Sequence, residues 1–139
     1  MNILTVQIAK YLDSIGLGIF DETGVSGTIY IACLPQTPDE IFAIYPTGGG
    51  VSDGKLQYDN PTIQIIVRGT ANPITAVSKA QAIYDKLQGF HHDYFIAGGY
   101  WILNCIGLQS QPIHIGRDET GRHEFSLNFQ LEIYNENRR

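Results

Sequence analysis

One segment of the chain nearly spells a phosphate-binding loop. Residues 49–55 match the pattern GxxxxGK, in which backbone N–H groups and a lysine cradle the phosphates of a nucleotide. The next residue should be a Ser or Thr that holds magnesium, and a helix should follow. Here Leu56 takes that position, and Pro61 and a β-like run come next. Without a helix N-terminus the phosphates lack converging donors, so we expect no nucleotide or other cofactor.

The four histidines are the residues best suited to bind a metal ion. His91 and His92 are adjacent, and adjacent side chains rarely converge on one ion. His114 and His123 flank a predicted hairpin and would need further ligands. A zinc site needs three or four converging ligands, and the sequence offers no such constellation. We therefore expect surface histidines and no metal site.

Two registers are possible for that hairpin. One pairs His114 with His123 and sets the neighbouring isoleucines opposite polar residues. A shift by one residue sets His114 opposite Glu124 and Ile113 opposite Phe125, and it keeps more apolar side chains on one face. We expect the second register.

No arrangement typical of covalent or acid–base catalysis is present. The chain contains no GxSxG turn, and neither cysteine lies in a known nucleophile signature. The carboxylate pairs Asp39-Glu40 and Asp118-Glu119 stand beside Pro or Gly, where solvated turn residues are expected. We therefore expect a protein that is not an enzyme.

The charged segment at residues 116–122 allows two interpretations. It can be a plain hairpin turn, in which Gly121 supplies a positive φ. It can also be an exposed tip that docks on a neighbouring subunit, with Arg117, Asp118 and Arg122 at the interface and an arginine paired with a carboxylate. The sequence does not choose between them.

The charge balance argues against a dedicated nucleic-acid binder. The formal net charge is −5, and nine basic residues are spread from Lys10 to Arg139, whereas gripping phosphates needs clustered cations. The final pair, Arg138-Arg139, is interpreted as a solvated chain end.

Cys33 and Cys105 each lie in an apolar, strand-like run, so we expect both to be reduced and buried. No signal peptide is visible, and no apolar run approaches the roughly 20 residues that span a bilayer. We expect a protein that is made and kept in a cytoplasm and does not enter a membrane.

Two helices are predicted. Apolar residues at helical spacing cover residues 3–15. The second helix has Asn72 as N-cap, Pro73 at its first position and Gly89 at its end. Its apolar stripe contains Val77, Ala80, Tyr84 and Leu87, flanked by Ala76 and Ile83.

Strands are predicted at residues 28–34, 41–45, 62–68, 100–108, 113–115 and 124–133. The run 100–108 is apolar on both faces, as in a central strand, and 124–133 alternates strictly between apolar and polar. Residues 47–55 are interpreted as a mobile glycine loop. The element order predicts one α+β domain over residues 1–139, with a mainly antiparallel sheet and two main helices on one face.

Residues 45–134 also resemble the small minor capsid proteins of bacteriophages of Gram-positive bacteria, the group that includes tail terminators. The resemblance is carried by Asn72-Pro73, Ala76, Ala80, residues 83–87, Trp101-Ile102, Gln111-Pro112, residues 115–118, Gly121-Arg122 and Asn128-Phe129.

This resemblance implies a virion protein that is assembled in the bacterial host cytoplasm, as a hexameric ring on the head-proximal end of the tail tube. Such a ring stops tube polymerisation and joins the tail to the head connector protein, and DNA passes through it without specific binding. The implied partners are further copies of the chain, the tail tube protein and the head connector protein. We expect the interfaces at Gly48, Gly49 and Gly50 and at the charged hairpin. A head-completion or neck protein, and a small binding domain outside the virion, remain as alternatives.

Overall fold

The helices follow their sequence signals closely. A computed structural model describes residues 3–138. Helix α1 covers Leu4–Ser14 and α2 covers Pro73–Leu87, in agreement with both predictions. The Asn72 side chain accepts a hydrogen bond of 3.1 Å from the backbone N–H of Ile74, which satisfies one of the free donors in the first turn of α2. Neither helix is long and apolar enough to cross a membrane.

Eight strands form one sheet around the last of them. They are β1 (Ile29–Ile31), β2 (Ile41–Gly49), β3 (Tyr58–Asp59), β4 (Pro61–Arg68), β5 (Asp93–Tyr94), β6 (Trp101–Gly107), β7 (Ile113–Arg117) and β8 (His123–Tyr134). The order is β1-β2-β4-β8-β6-β5, and β3 and β7 also pair with β8. All the pairings are antiparallel except that of β1 with β2.

Both helices pack on the same face of the sheet. The alternating apolar residues of β8 are all buried there, as the pattern predicted. From the helices, Ile8 and Leu12 of α1 and Ile83 and Leu87 of α2 join the same core without solvent exposure. The structure therefore confirms the α+β class with a mainly antiparallel sheet and two helices on one face. The buried stripe of α2 is Ala76, Ala80, Ile83 and Leu87, so it lies slightly to one side of the predicted one.

Neither helix covers the opposite face of the sheet. A small cluster there contains Tyr30, Ile41 and Ala43, with Leu34 and Tyr45 packed against it. Residues 32–40, which connect β1 to β2, lie over this end of the sheet, as shown by their contacts with Arg68 and Arg122.

Several strand predictions need correction. The first strand is only three residues long and is parallel to β2. Strand β2 continues to Gly49, so the supposed mobile loop begins as paired strand. Strand β6 is not a fully buried central strand, because it lies next to the short edge strand β5 and exposes Ile106. Cys105 is buried as expected, whereas Cys33 is exposed.

The predicted hairpin register is wrong. His114 pairs with Phe125 and Ile113 with Ser126, and a β-bulge then shifts the register so that Gly116 pairs with Glu124. Gly116 has a φ of 120°, a conformation that L side chains rarely adopt, and it allows the extra residue in β7. The sequence argument assumed that Ile113 turns toward the core, but it is 44% exposed.

Candidate subunit interface

The charged hairpin is built around the carboxylate of Asp118. One oxygen of this carboxylate accepts hydrogen bonds from the backbone N–H groups of Thr120 at 3.0 Å and Arg122 at 2.9 Å. Gly121 completes the turn with a φ of 85°. The plain-turn interpretation is therefore correct for the local structure, and Asp118 is the residue that shapes the turn.

Arg122 anchors the hairpin to the chain itself. Its side chain is buried, and its guanidinium lies 2.7 Å from Asp118 and 3.1 Å from Asp39. It also donates to the backbone and side-chain oxygens of Gln36. The hydrogen bond with Asp118 raises the pKa of Arg122, against the effect of desolvation. With these donors used internally, Arg122 holds the hairpin in shape and has little freedom to pair with a neighbouring molecule.

The same contacts fix the charge of Asp118. Burial opposes its ionisation, but hydrogen bonds from the backbone and guanidinium of Arg122 and from Thr120 outweigh that effect. They hold the pKa of Asp118 well below its usual range, so the carboxylate stays ionised at any physiological pH.

A second buried arginine supports this end of the sheet, and the sequence analysis missed it. Arg68, the last residue of β4, donates to the carbonyl oxygens of Asp39 at 3.1 Å and Pro38 at 2.7 Å. Desolvation lowers its pKa, and the nearby positive charge of Arg122 adds to that shift. The sequence does contain a signal for this arginine, because Arg68 is a lone charge at the end of an apolar strand. A charged side chain in such a position is rarely buried unless it has partners.

Arg117 differs from both of these arginines. It is exposed, and its side chain makes no hydrogen bond or ion pair within residues 3–138. It pairs with His123 across the β7–β8 ladder, so its backbone is fixed while its guanidinium faces solvent. Among the predicted interface arginines, Arg117 is therefore the one whose charge is free for a partner.

Of the three glycines predicted for the other interface, two have a backbone conformation that favours glycine. Gly48 and Gly49 have φ values of 87° and 130°, and they lie where a bulge interrupts the β2–β4 ladder. A Cβ on Gly49 would stand 2.2 Å from the carbonyl oxygen of Asn60 and 2.7 Å from the Cα of Pro61. Only glycine fits there. Gly50 donates to the same Asn60 oxygen at 3.0 Å and has open space around it.

Residues 50–56, which we call the arm, are all exposed. The arm follows β2, and its residue Val51 is 96% exposed. The next element is the strand β3.

The C-terminal segment secures the arm. The guanidinium of Arg138 donates to the carbonyl oxygen of Leu56 at 3.0 Å and to the carboxylate of Asp59. The hydrogen bond from Arg138 lowers the pKa of Asp59. The interpretation of Arg138 as a solvated end is therefore wrong, while Arg139 lies outside the described residues.

The two predicted interfaces lie at opposite ends of the sheet. Gly49 pairs with Pro61, the first residue of β4, and the last residue, Arg68, pairs with Glu124 beside the charged hairpin. A strand rises about 3.3 Å per residue, so the two surfaces are roughly 23 Å apart along β4. They cannot belong to one small contact patch.

The histidines form one direct contact that the sequence did not predict. The ring nitrogens Nε2 of His114 and Nδ1 of His123 are 3.0 Å apart, because the bulged register puts the rings on one face. His92 stacks on Trp101. Within residues 3–138 no group of three or more His, Cys, Asp and Glu side chains is arranged to hold a metal ion.

Comparison with known proteins identifies the family. A family model described as bacteriophage tail terminator protein matches residues 11–135. A solved chain from the virion of a native gene transfer agent particle has the same fold, with a TM-score of 0.69, 16% identity and coverage of 95% of both chains. No curated protein matches the sequence. Because the family model spans most of its length, the chain belongs to the bacteriophage tail terminator protein family.

Proposed function

We propose that this chain forms a closed ring at the head-proximal end of a phage tail tube, where it stops tube polymerisation and provides the surface that joins the head connector protein. As a member of the tail terminator family, the chain is a structural protein of the virion tail or neck. The observation that carries the finer proposal is the match of this family over residues 11–135.

The shape of the subunit supports a role between two different partners. The hairpin end of the sheet is stiffened by two buried arginines, and the arm end is secured by Arg138. These ends are roughly 23 Å apart along β4, the distance expected from the strand rise. A ring subunit with one end toward the tail tube and the other toward the head would use its ends in this way.

The charge of the chain also suits a ring through which DNA passes. The net charge is −5, and within the described residues Arg68, Arg122 and Arg138 are engaged in internal hydrogen bonds. A ring with few free cations would repel the phosphate backbone and let DNA slide through its lumen.

The proposal is tested by native mass spectrometry of the full chain, alone and with purified tail tube protein. We expect a hexamer, either free or only on tubes. A chain that stays monomeric in both conditions would overturn the proposal. Binding to filled heads without binding to tubes would instead assign a head-completion or neck role.

A charge reversal at Arg117 tests the hairpin within that experiment. Arg117→Glu should weaken ring or tail assembly while its melting temperature stays unchanged, because the side chain has no partner in the described chain. Lys86→Glu is the matched control, since Lys86 is exposed in the last turn of α2 and belongs to neither the hairpin nor the arm. Normal assembly of Arg117→Glu would remove this residue from the interface.

A further inference from the structure

Four large apolar side chains are exposed together beside the charged hairpin. They are Ile106 and Leu108, at the end of β6, and Ile113 and Ile115, in β7; their exposed fractions are 47%, 56%, 44% and 50%. We call them the β6–β7 patch. Together they expose on the order of 350 Å² of apolar surface, which is comparable to the largest apolar patch of a typical soluble monomer, and such a patch is often functional.

The register places this patch on the uncovered face of the sheet. Ile106 pairs with Gln130 and Ile113 with Ser126, both on the polar side of β8 and away from the helices. The backbone N–H of Leu108 donates to Asn128 on the same strand. Within the described residues β7 pairs with β8 alone, so its other edge is open. The patch therefore lies at one edge of the sheet.

A second apolar surface lies at the opposite edge. Residues 19–26, which we call the β1-edge loop, run beside β1, and Phe20 makes a bridge to Ile29. In this loop Ile19 is 64% exposed and Val25 is 83% exposed. The strands β2, β4 and β8 separate this edge from β7.

Each edge offers one charge that could pair with the other edge. Arg117 comes two residues after Ile115 and pairs with His123, so it lies on the helix face of the sheet, but its charge is exposed at the open edge, as is that of the nearby Glu119. In the β1-edge loop Glu22 forms an ion pair with Lys10 at 2.6 Å, and Asp21 forms none within the described residues. Hydrogen bonds from Thr23 and Ser26 lower the pKa of Asp21 to about 2, so this carboxylate is charged at neutral pH.

We propose that the occupant of the β6–β7 patch is the β1-edge loop of a second copy of this chain, with Val25 against Ile113 and Ile115 and with Arg117 reaching Asp21 across the open edge of β7. This inference rests on the proposed ring and names its subunit contact. Two different surfaces on opposite edges form a heterologous interface, which closes into a ring when the rotation between copies is right. The bulge in β7 bends the open edge, so side-chain packing, and not strand addition, forms the contact.

Cysteine cross-linking tests the contact directly. Cys33 is exposed and would react, so each variant carries Cys33→Ser, while Cys105 is buried. One protein carries Val25→Cys and a second carries Ile115→Cys. They are treated with a short bismaleimide, in the presence of tail tubes if rings form only there. We expect no cross-link in either protein alone, a covalent dimer in the mixture, and a ladder of oligomers when both cysteines are in one chain.

A matched control uses Ile74, which is 65% exposed at the start of α2 and belongs to neither surface. Ile74→Cys mixed with Val25→Cys should give no dimer. Cross-linking of Ile115→Cys with itself would overturn the heterologous arrangement. Rings by native mass spectrometry without cross-linking in the mixture would refute this contact and leave the proposed function standing. Absence of any ring from the wild-type chain would refute the proposed function itself.

Discussion

Substitution of Gly48, Gly49 and Gly50 one at a time shows which of these glycines the fold requires and which could serve binding. Gly49 has a φ of 130°, and a Cβ there would stand 2.2 Å from a backbone oxygen of Asn60. The left-handed backbone costs a non-glycine residue about 1–2 kcal/mol. Relief of the overlap requires backbone movement and costs about 1–3 kcal/mol more. We therefore expect Gly49→Ala to lower the free energy of unfolding by about 3 kcal/mol.

The neighbouring glycines provide internal controls. Gly48 has a φ of 87° with no atom within 4 Å of the added Cβ, so Gly48→Ala should cost only the backbone strain, about 1–2 kcal/mol. At Gly50 the nearest atom is 3.8 Å away and no positive φ is required, so Gly50→Ala should change stability by less than about 0.5 kcal/mol.

Thermal unfolding followed by circular dichroism measures the series. For a chain of this length 1 kcal/mol corresponds to about 3–4 °C, so Gly49→Ala should melt about 10 °C lower than wild type. Gly48→Ala should melt about 5 °C lower, and Gly50→Ala should not differ. A Gly49→Ala protein that melts with the wild type but fails to assemble would refute the structural argument and make this glycine a contact residue.

Three further predictions follow from single contacts. Because the pKa of Asp21 is lowered from 3.8 to about 2 in the folded chain, its carboxylate contributes stability that is present above pH 3.8 and is lost as the pH falls through about 2. In acid denaturation Asp21→Asn should therefore lose less stability over that pH range than the wild type does. Burial raises the pKa of the Cys105 thiol to about 12, so a thiol reagent at pH 8 should modify only Cys33 in the folded protein and both cysteines in denaturant. Arg138→Ala should release the arm, which would appear as faster amide exchange there with unchanged exchange in the helices.

Local signals account for the parts of the fold that the sequence predicted. The Asn72 cap and Gly89 place α2 correctly, because capping depends on residues within one turn. The alternation in β8 assigns its two faces, because side chains in a strand repeat every two residues. These features need no information from elsewhere in the chain.

The errors arise where a distant contact decides the outcome. Arg122 is buried because Gln36 and Asp39 fold over it, and Arg138 is held because Asp59 lies beside the C-terminal segment. The register of β7 depends on a bulge at Gly116, which no hydrophobic pattern reveals. The sequence also could not separate the two arginines of the hairpin, because the contacts that engage Arg122 and leave Arg117 without a partner in residues 3–138 come from distant parts of the chain.

Tail tube length gives the most direct test of the central claim. Purified tail tube protein is polymerised with and without this chain, and the lengths of the tubes are measured by electron microscopy over time. A terminating ring should stop growth once the chain is added and should appear as extra density at one end of each tube. Tubes that continue to lengthen with the chain present in excess, and with bare ends, would contradict the account.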